Sequence, residues 1–511
     1  MIKSVLLLAG VFSYASVPAQ KIADPVPYAK TITTADLKKH LNIIAGAEME
    51  GRNTPSPGLE KAAEYIESQF RSFGVKPGNN GSYRQYYDLE KDSTSTLSLH
   101  IAGTDFTPGT DFAPWLQMPQ RADLDFSEYV FVGYGIVDET RDDYKDADVK
   151  DKLVILLNGQ PKGFITNKSR RQSPAFTANK IANAKKKGAA AVLIISEKLP
   201  SQQMLNNAYR PRPDAAAQQE SSAIPVFYIN DNIVSKTGKN IKEIEELVES
   251  QIKDPITTPA EIAIKYTSGR KIATVSNVVG MVEGSDKKDE YLFITAHYDH
   301  VGMDDKGNIY YGADDDGSGT VAVIDMAEAF AKAKKEGKGP RRTVVFMLVS
   351  GEEKGLWGSE YYSENPVYPL EKTTANLNID MIGRVDTERM LADTLNYVYV
   401  VGHNKLSTDL PKINEGMNNK YTKLVLDYKF DDPNDPNKIY YRSDHYNFAR
   451  KGVPVLFFYD GMLKADYHQP TDTVDKINFP LLTKRAQMIF YTAWEMANRN
   501  EFLKRDLELT Q

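Results

Sequence analysis

The chain has no cysteine among its 511 residues. That absence removes disulfides, every thiolate nucleophile and every cysteine-ligated zinc site, so a transition-metal centre could draw only on His, Asp and Glu. Charge of one sign is not in excess either. Lys and Arg number 63 against 69 Asp and Glu, a net charge of -6, and without a long basic run there is no electrostatic case for nucleic acid. Past the N-terminal segment, no stretch approaches the roughly 18 apolar residues of a membrane span. Neither a Gly-x-Ser-x-Gly elbow nor a His-Glu-x-x-His helix is present, which makes serine hydrolysis and zincin chemistry poor fits.

What is present begins with MIKSVLLLAGVFSYASVPAQ: a basic start at Lys3, an apolar stretch over residues 5–12, and small residues before Gln20. This predicts a signal peptide over 1–19, cut after Ala19, and export to the periplasm or the medium. The length predicts more than one domain. Residues 35–47 and 58–75 read as amphipathic helices, the second from Ala62, Ile66 and Phe70, with Gly74 as its stop. Residues 50–53 read as a polar turn, and 84–128 as short strands and loops around Pro108, Pro114 and Pro119.

A small α/β pattern follows, with strands at 129–136, 152–157, 190–195 and 224–229 and helices at 178–187 and 240–252. Residues 120–260 contain no histidine, so this segment suits covering a site or gripping substrate better than holding metals. From residue 261, apolar runs at 273–282, 291–296, 343–349, 375–379, 397–401 and 454–458 alternate with helices, notably 319–335. Such alternation predicts an α/β fold: a mixed, mostly parallel sheet flanked by helices, with any site beyond the strand C-terminal ends. The expected domains are residues 20–119 as the N-terminal part of a catalytic domain, 120–260 as an inserted smaller α/β domain, and 261–511 as the remainder of the catalytic domain.

Candidate chemistry sits at those strand ends. The strand before His297 delivers an imidazole, and Asp299, two residues on, can point the same way to orient it. Asp315, within Asp314-Asp315-Asp316, can bridge two cations, with its neighbours supporting or capping. A calcium loop using Asp314, Asp316, Ser318 and Asp325 is the competing reading, but it lacks the closing Glu and an entering helix. Glu352 and Glu353 suit a division of labour, Glu353 on a metal and Glu352 as general base. Asp380 ends an apolar strand, where an unpaired charge would be costly, and His468 lies on a later loop. Alone, each has a bland explanation as a solvated turn. Together they suit two zinc ions, whose charge of about +4 is met by Asp315, Glu353, Asp380 and one hydroxide.

His297-x-Asp299, Gly312 to Gly319, Glu352-Glu353 with Gly355 and Gly358-Ser359, Asp380-Met381, and His468 with Thr471-Asp472-Thr473 resemble the di-zinc aminopeptidase family. This family includes secreted bacterial leucine aminopeptidases and the glutamate carboxypeptidase group. Tyr134-Gly135 and Asp143-Tyr144 ahead of residues 152–154 resemble the inserted protease-associated domain of such peptidases. The resemblance implies two Zn2+ per chain, one held by His297 and Asp380, the other by Glu353 and His468, with Asp315 between them. It implies hydrolysis of N-terminal residues from peptides, Glu352 shuttling the proton and Tyr440 or Tyr467 stabilising the oxyanion. His445 would belong to a supporting Ser-Asp-His turn, while His300, His403, His40 and His100 would be structural or solvated. Alternatives on the same scaffold are a carboxypeptidase or dipeptidase, which needs an arginine pocket from Arg170, Arg210, Arg212, Arg384 or Arg442, and a one-zinc glutaminyl cyclase. No feature of the sequence specifies an oligomeric state.

Overall fold

A computed structural model describes residues 22–509 except 116–117, 120, 140, 167–171, 201–208, 213–222, 251–253 and 391–394. The expected signal peptide (1–19) and Arg170 lie outside the described residues. The chain divides into two compact units, one made of residues up to 86 together with 275–511, the other of residues 87–274.

In the larger unit the sheet contains β1 (Lys287–His297), β2 (Arg342–Val349), β3 (Thr373–Ile379), β4 (Tyr397–Val401), β5 (Val425–Asp427) and β6 (Val455–Tyr459), in the spatial order β5-β4-β6-β3-β1-β2. β1 is parallel to both β2 and β3, and β3 is parallel to β6. β4 runs antiparallel to β6, and residues 278–282 run antiparallel to β2 on its other side. Every residue of β2, β3, β4 and β6 is buried, which is why these strands read as unbroken apolar runs rather than alternating ones.

The helices of this unit include α1 (Thr34–Ile44), α2 (Pro57–Phe73), α3 (Gly317–Lys335), α4 (Trp357–Glu364), α5 (Asp409–Tyr421) and α6 (Phe479–Asn498). α1 starts where the Thr33 hydroxyl accepts from the Asp36 N–H, and α2 where Ser56 accepts from Leu59 N–H with Pro57 at the first helical position. α2 stops at Gly74, whose φ of 78° is a left-handed conformation that favours glycine. Alternate strand side chains feed opposite faces. Phe346 of β2 meets Phe330 of α3 (ring centroids 5.9 Å apart), which also packs on Phe490 and Trp494 of α6. Phe293 of β1 faces Tyr362 of α4 (5.4 Å) and Phe448 (5.3 Å). With both faces covered, the strand C-terminal ends are left to carry the chemistry.

The smaller unit has its own core. Arg121–Phe131, Leu153–Leu157, Ala191–Ile195 and Val226–Ile229 lie parallel in that order, with Phe112–Pro114 antiparallel to the last and residues 256–267 antiparallel to the first. Helices Thr177–Lys186 and Ile241–Ser250 accompany them. Two strands depart from the sequence expectation. Arg84–Ile101 is one long strand where short strands and loops were expected, because no Gly or Pro interrupts it and the three prolines all come later. The strand expected from residue 129 begins at Arg121, where alternation of exposed and less exposed positions extends pairing towards the N-terminus. Among the described residues, no helix is long and apolar enough to cross a membrane.

Candidate metal centre

His297 is the last residue of β1. Its Nε2 lies 3.3 Å from Asp315 Oδ1 and 3.6 Å from Asp380 Oδ1, Asp380 being the residue that follows β3. The other oxygen of Asp315, Oδ2, lies 3.1 Å from His468 Nε2, which in turn is 2.9 Å from Glu353 Oε2. The structure thus brings His297, Asp315, Glu353, Asp380 and His468 together, with the Asp315 carboxylate spanning the two halves. Glu352 Oε2 is 3.9 Å from His297 Nε2.

These groups are close without being satisfied. Asp315 Oδ2, Glu353 Oε1, His468 Nε2 and both ring nitrogens of His300 are buried without a hydrogen-bond partner. Each unsatisfied buried polar atom costs about 1–3 kcal/mol, and more if charged. A cation between them removes that cost, and imidazole with carboxylate is a donor set that zinc takes. Two groups could each hold an ion: His297, Asp316 and Asp380, and His300, Asp315 and Glu353. In the first, Asp316 is already occupied, since its oxygens accept from the backbone N–H of Gly319 (2.9 Å), Met381 (3.0 Å) and His297 (3.2 Å). Asp316 therefore braces three loops, and Asp315 is the carboxylate left facing both sides.

The electrostatics follow from this crowding. Burial alone would raise Asp315, but the adjacent His297, His468 and His300 imidazoles hold it well below the usual carboxylate range. Burial likewise disfavours a charged His468, yet Asp315 and Glu353 push it up to about 10. A proton there and a cation there answer the same excess of negative charge. Glu352 is raised well above its ordinary value by burial, with Glu353 and Asp380 adding and His297 opposing.

Asp299 acts differently from the expected orienter. Its carboxylate accepts from the Glu352 N–H (3.1 Å) and the Thr54 hydroxyl (3.0 Å), and lies 3.7 Å from His297 Nδ1. The nearer acceptor for Nδ1 is Asp299's own backbone carbonyl, at 3.2 Å. Asp299 thus fixes the imidazole through the main chain, while its side chain fixes the turn that carries Glu352.

Two supports hold the aspartate loop. Asp472 accepts from the N–H groups of Asp314 (3.0 Å) and Asp315 (3.2 Å). Arg52, fully buried, donates to the carbonyls of Tyr298, Ile44 and Tyr311 (2.7 Å each) and Gly312 (2.9 Å). Arg52 was read from the sequence as part of a polar turn, and no local signal separates it from one.

A cleft of about 40 Å³ opens beside the cluster, lined by Asp315, Glu352, Asp380, Arg442, Tyr459 and Tyr467 among others. Tyr467 stacks on His468 at 4.0 Å, and its hydroxyl accepts from Arg442 at 3.2 Å. Tyr440 is not among the lining residues; it packs in the hydrophobic core, with the Lys405 ammonium 4.9 Å from its ring. Tyr459, whose buried hydroxyl has no hydrogen-bond partner, was missed because an aromatic residue in an apolar strand reads as core.

His300 was expected to be structural or solvated, yet it is fully buried inside the cluster, Nδ1 2.8 Å from Glu353 Oε1. The other histidines are elsewhere: His40 on Tyr65 (2.7 Å), His100 on Asp105 (2.8 Å), His403 on Asp431 (2.6 Å), and His445 stacked on Phe457. Of the candidate arginines, Arg210 pairs with Glu90, Arg212 with Asp88 and Arg384 with Asp466, while Arg442 reaches the cleft.

Residues 277–493 match Peptidase family M28, and residues 128–236 match the PA domain. The M28 match thus covers the strands and loops that carry the cluster, and the PA match lies in the smaller unit. A probable leucine aminopeptidase of Arthroderma benhamiae is 26% identical over 216 residues, 41% of this chain and 55% of that protein. A probable glutamate carboxypeptidase of Arabidopsis thaliana is 23% identical over 368 residues, 63% of this chain and 50% of that protein. The chain thus spans about half the length of these curated relatives. Among solved structures, an aminopeptidase from Aneurinibacillus sp. strain AM-1 aligns with a TM-score of 0.55 at 18% identity, covering 96% of this chain and 98% of that one. A zinc aminopeptidase from Bacillus subtilis aligns with a TM-score of 0.51 at 19% identity, covering 93% and 99%. At these identities the two structures speak to the fold.

Proposed function

We propose that the chain is an exported two-zinc exopeptidase that removes N-terminal residues from peptides. The observation that carries this reading is the convergence of imidazole and carboxylate atoms on both sides of Asp315, with Glu352 alongside. His297 and Asp380 would hold one ion, Glu353 and His468 the other, and Asp315 both. Two zinc ions, when bound, supply Lewis acidity towards a nucleophilic water and the scissile carbonyl. Glu352 takes the proton from that water and returns it to the leaving amine, its backbone anchored by Asp299. Tyr467, lining the cleft beside His468, is the better placed of the two expected tyrosines to donate to the developing oxyanion, and Tyr459 is a further donor on the same wall. The aminopeptidase reading is supported by the leucine aminopeptidase relatives.

Arg442 in the cleft favours a second reading, a carboxypeptidase or dipeptidase of the glutamate carboxypeptidase type, in which the guanidinium takes the substrate's terminal carboxylate. Metal quantification combined with a screen of aminoacyl, N-blocked and acidic dipeptide substrates separates them. Two zincs per chain with cleavage of free-amine substrates only is the expected result. Cleavage of N-blocked peptides that is lost in Arg442→Ala favours the second reading, and a single zinc favours the cyclase. The domain division 20–119, 120–260 and 261–511 and the leader at 1–19 belong to the same proposal, and N-terminal sequencing of the exported protein checks the leader.

A further inference from the structure

We propose that His300 is a fourth protein ligand of the cation at Asp315, Glu353 and His468, so that the two metal positions are unequal, four protein ligands on one side of Asp315 and three on the other. This rests on the two-zinc reading and adds to it a difference in how firmly each ion is held. The backbone of His300 is fixed independently of any metal, since its N–H donates to the Arg52 carbonyl at 3.1 Å and it bridges to Asn53. The side chain is then fully buried with neither ring nitrogen in a hydrogen bond.

Of the other histidines outside the cluster only His445 shares that burial without a hydrogen bond, and it has no carboxylate beside its ring nitrogens. His40, His100 and His403 each meet a hydroxyl or carboxylate, and His445 stacks on Phe457 with its ring nitrogens away from any acidic side chain within hydrogen-bond reach. His300 Nδ1 instead lies 2.8 Å from Glu353 Oε1 and 3.8 Å from Asp315 Oδ2 without hydrogen-bond alignment to either. Short separation without alignment is what two ligands of one ion show, because each lone pair points at the ion rather than at its neighbour. His468 stands in the same relation to the same two carboxylates, and the two imidazole rings are 5.7 Å apart at 75°.

The chain also makes room for this ring. Gly312, at a φ of +57°, lies against it so closely that a Cβ there would come within 2.5 Å of His300 Cγ and 2.6 Å of Cδ2. Any larger residue at position 312 would collide with this ring and, at 2.3 Å, with the Asp315 carbonyl. A neutral imidazole adds a donor without adding charge, so the balance between two zinc ions, three carboxylates and a hydroxide is kept. Imidazole suits zinc, and filling a position on one ion while the other retains an open one is the usual distinction between a firmly held and an exchangeable zinc.

The test compares the intact zinc-loaded enzyme with His300→Ala and His300→Gln at equilibrium with buffered free zinc, zinc per chain being read by mass spectrometry. The wild type should give up its ions in two separated steps. Both variants should weaken the tighter step about 10–100-fold, as loss of a ligand or its support does. An isotherm identical to wild type in both variants overturns the proposal. A wild type that binds fewer than two zincs instead sinks the two-zinc reading beneath it. Zinc-edge X-ray absorption of the unmodified enzyme gives a second readout that does not depend on the variants folding. Three imidazoles shared over two ions support His300 as a ligand; two imidazoles contradict it.

Discussion

Glu352 and His445 illustrate how burial sets two different residue-scale behaviours. Glu352 lies beside the cluster with its N–H held by Asp299, and no role as a ligand is needed to keep the fold. Glu352→Gln should therefore lower kcat about 10²–10⁴-fold, the range for loss of a general base, while zinc content and the melting temperature stay near wild type. A variant within a few-fold of the wild-type rate would contradict the assigned role. His445 is fully buried against Phe457, and burial pushes its imidazole down to about 3. Its folded value lies below the unfolded one of about 6.5, so the unfolded chain binds more protons between them, and stability rises with pH through this window. The contribution is complete above the unfolded value and is lost as pH falls, by about 2 kcal/mol at pH ~5. His445→Gln should flatten this acid limb in urea unfolding midpoints measured from neutral pH downwards. An unchanged slope would show that the ring is already protonated in the native state.

At the scale of elements, the site is a set of strand ends locked by partners distant in sequence. The candidate ligands were legible because each ends or follows an apolar run, His297 at the end of β1, Glu353 after β2, Asp380 after β3, and a charge in such a place needs a partner. His300 was not legible: it stands just past the end of β1, where period-two alternation stops predicting direction, and its neighbour Asn53 is paired only by the fold. Arg52 was hidden for the same reason. Its carbonyl partners lie at residues 44, 298, 311 and 312, so its role exists only once the chain has closed over it. Asp299, Asp315, Asp316 and Asp472 also surround its charge. Arg52→Met keeps the bulk but removes both the fork of donors and the compensating charge, and should cost about 3–5 kcal/mol, as breaking a buried charge arrangement does. It should also weaken zinc binding, since Tyr298 and Gly312 flank the ligands. A variant with a wild-type urea midpoint would mean that the loops hold themselves. The strands of the smaller unit were legible in position but short at one end, because alternation from Arg121 to Phe131 is a weaker signal than a continuous apolar run.

At the scale of the whole molecule, both candidate metal-binding groups, and every histidine but one, lie in one of two units. The unit of residues 87–274 carries a separate apolar core, including Val154, Leu193 and Phe227, and its single histidine, His100, pairs with Asp105. The other unit gathers Asp315, Glu352, Glu353 and Asp380, whose mutual repulsion a cation relieves. Ligand binding to the native state stabilises by mass action, about 2.7 kcal/mol per site at a free concentration of ~100 times Kd. Units with independent cores unfold as separate transitions unless their folding is coupled. Calorimetry of the intact chain should then show two transitions, with chelation lowering only one of them. Proteolysis of the chelated protein, halted between the two midpoints, should leave a protected fragment that falls within residues 87–274. If both transitions moved together on chelation, the two cores would be folding as one, and the insert could no longer be treated as an independent module on a metal-dependent catalytic domain.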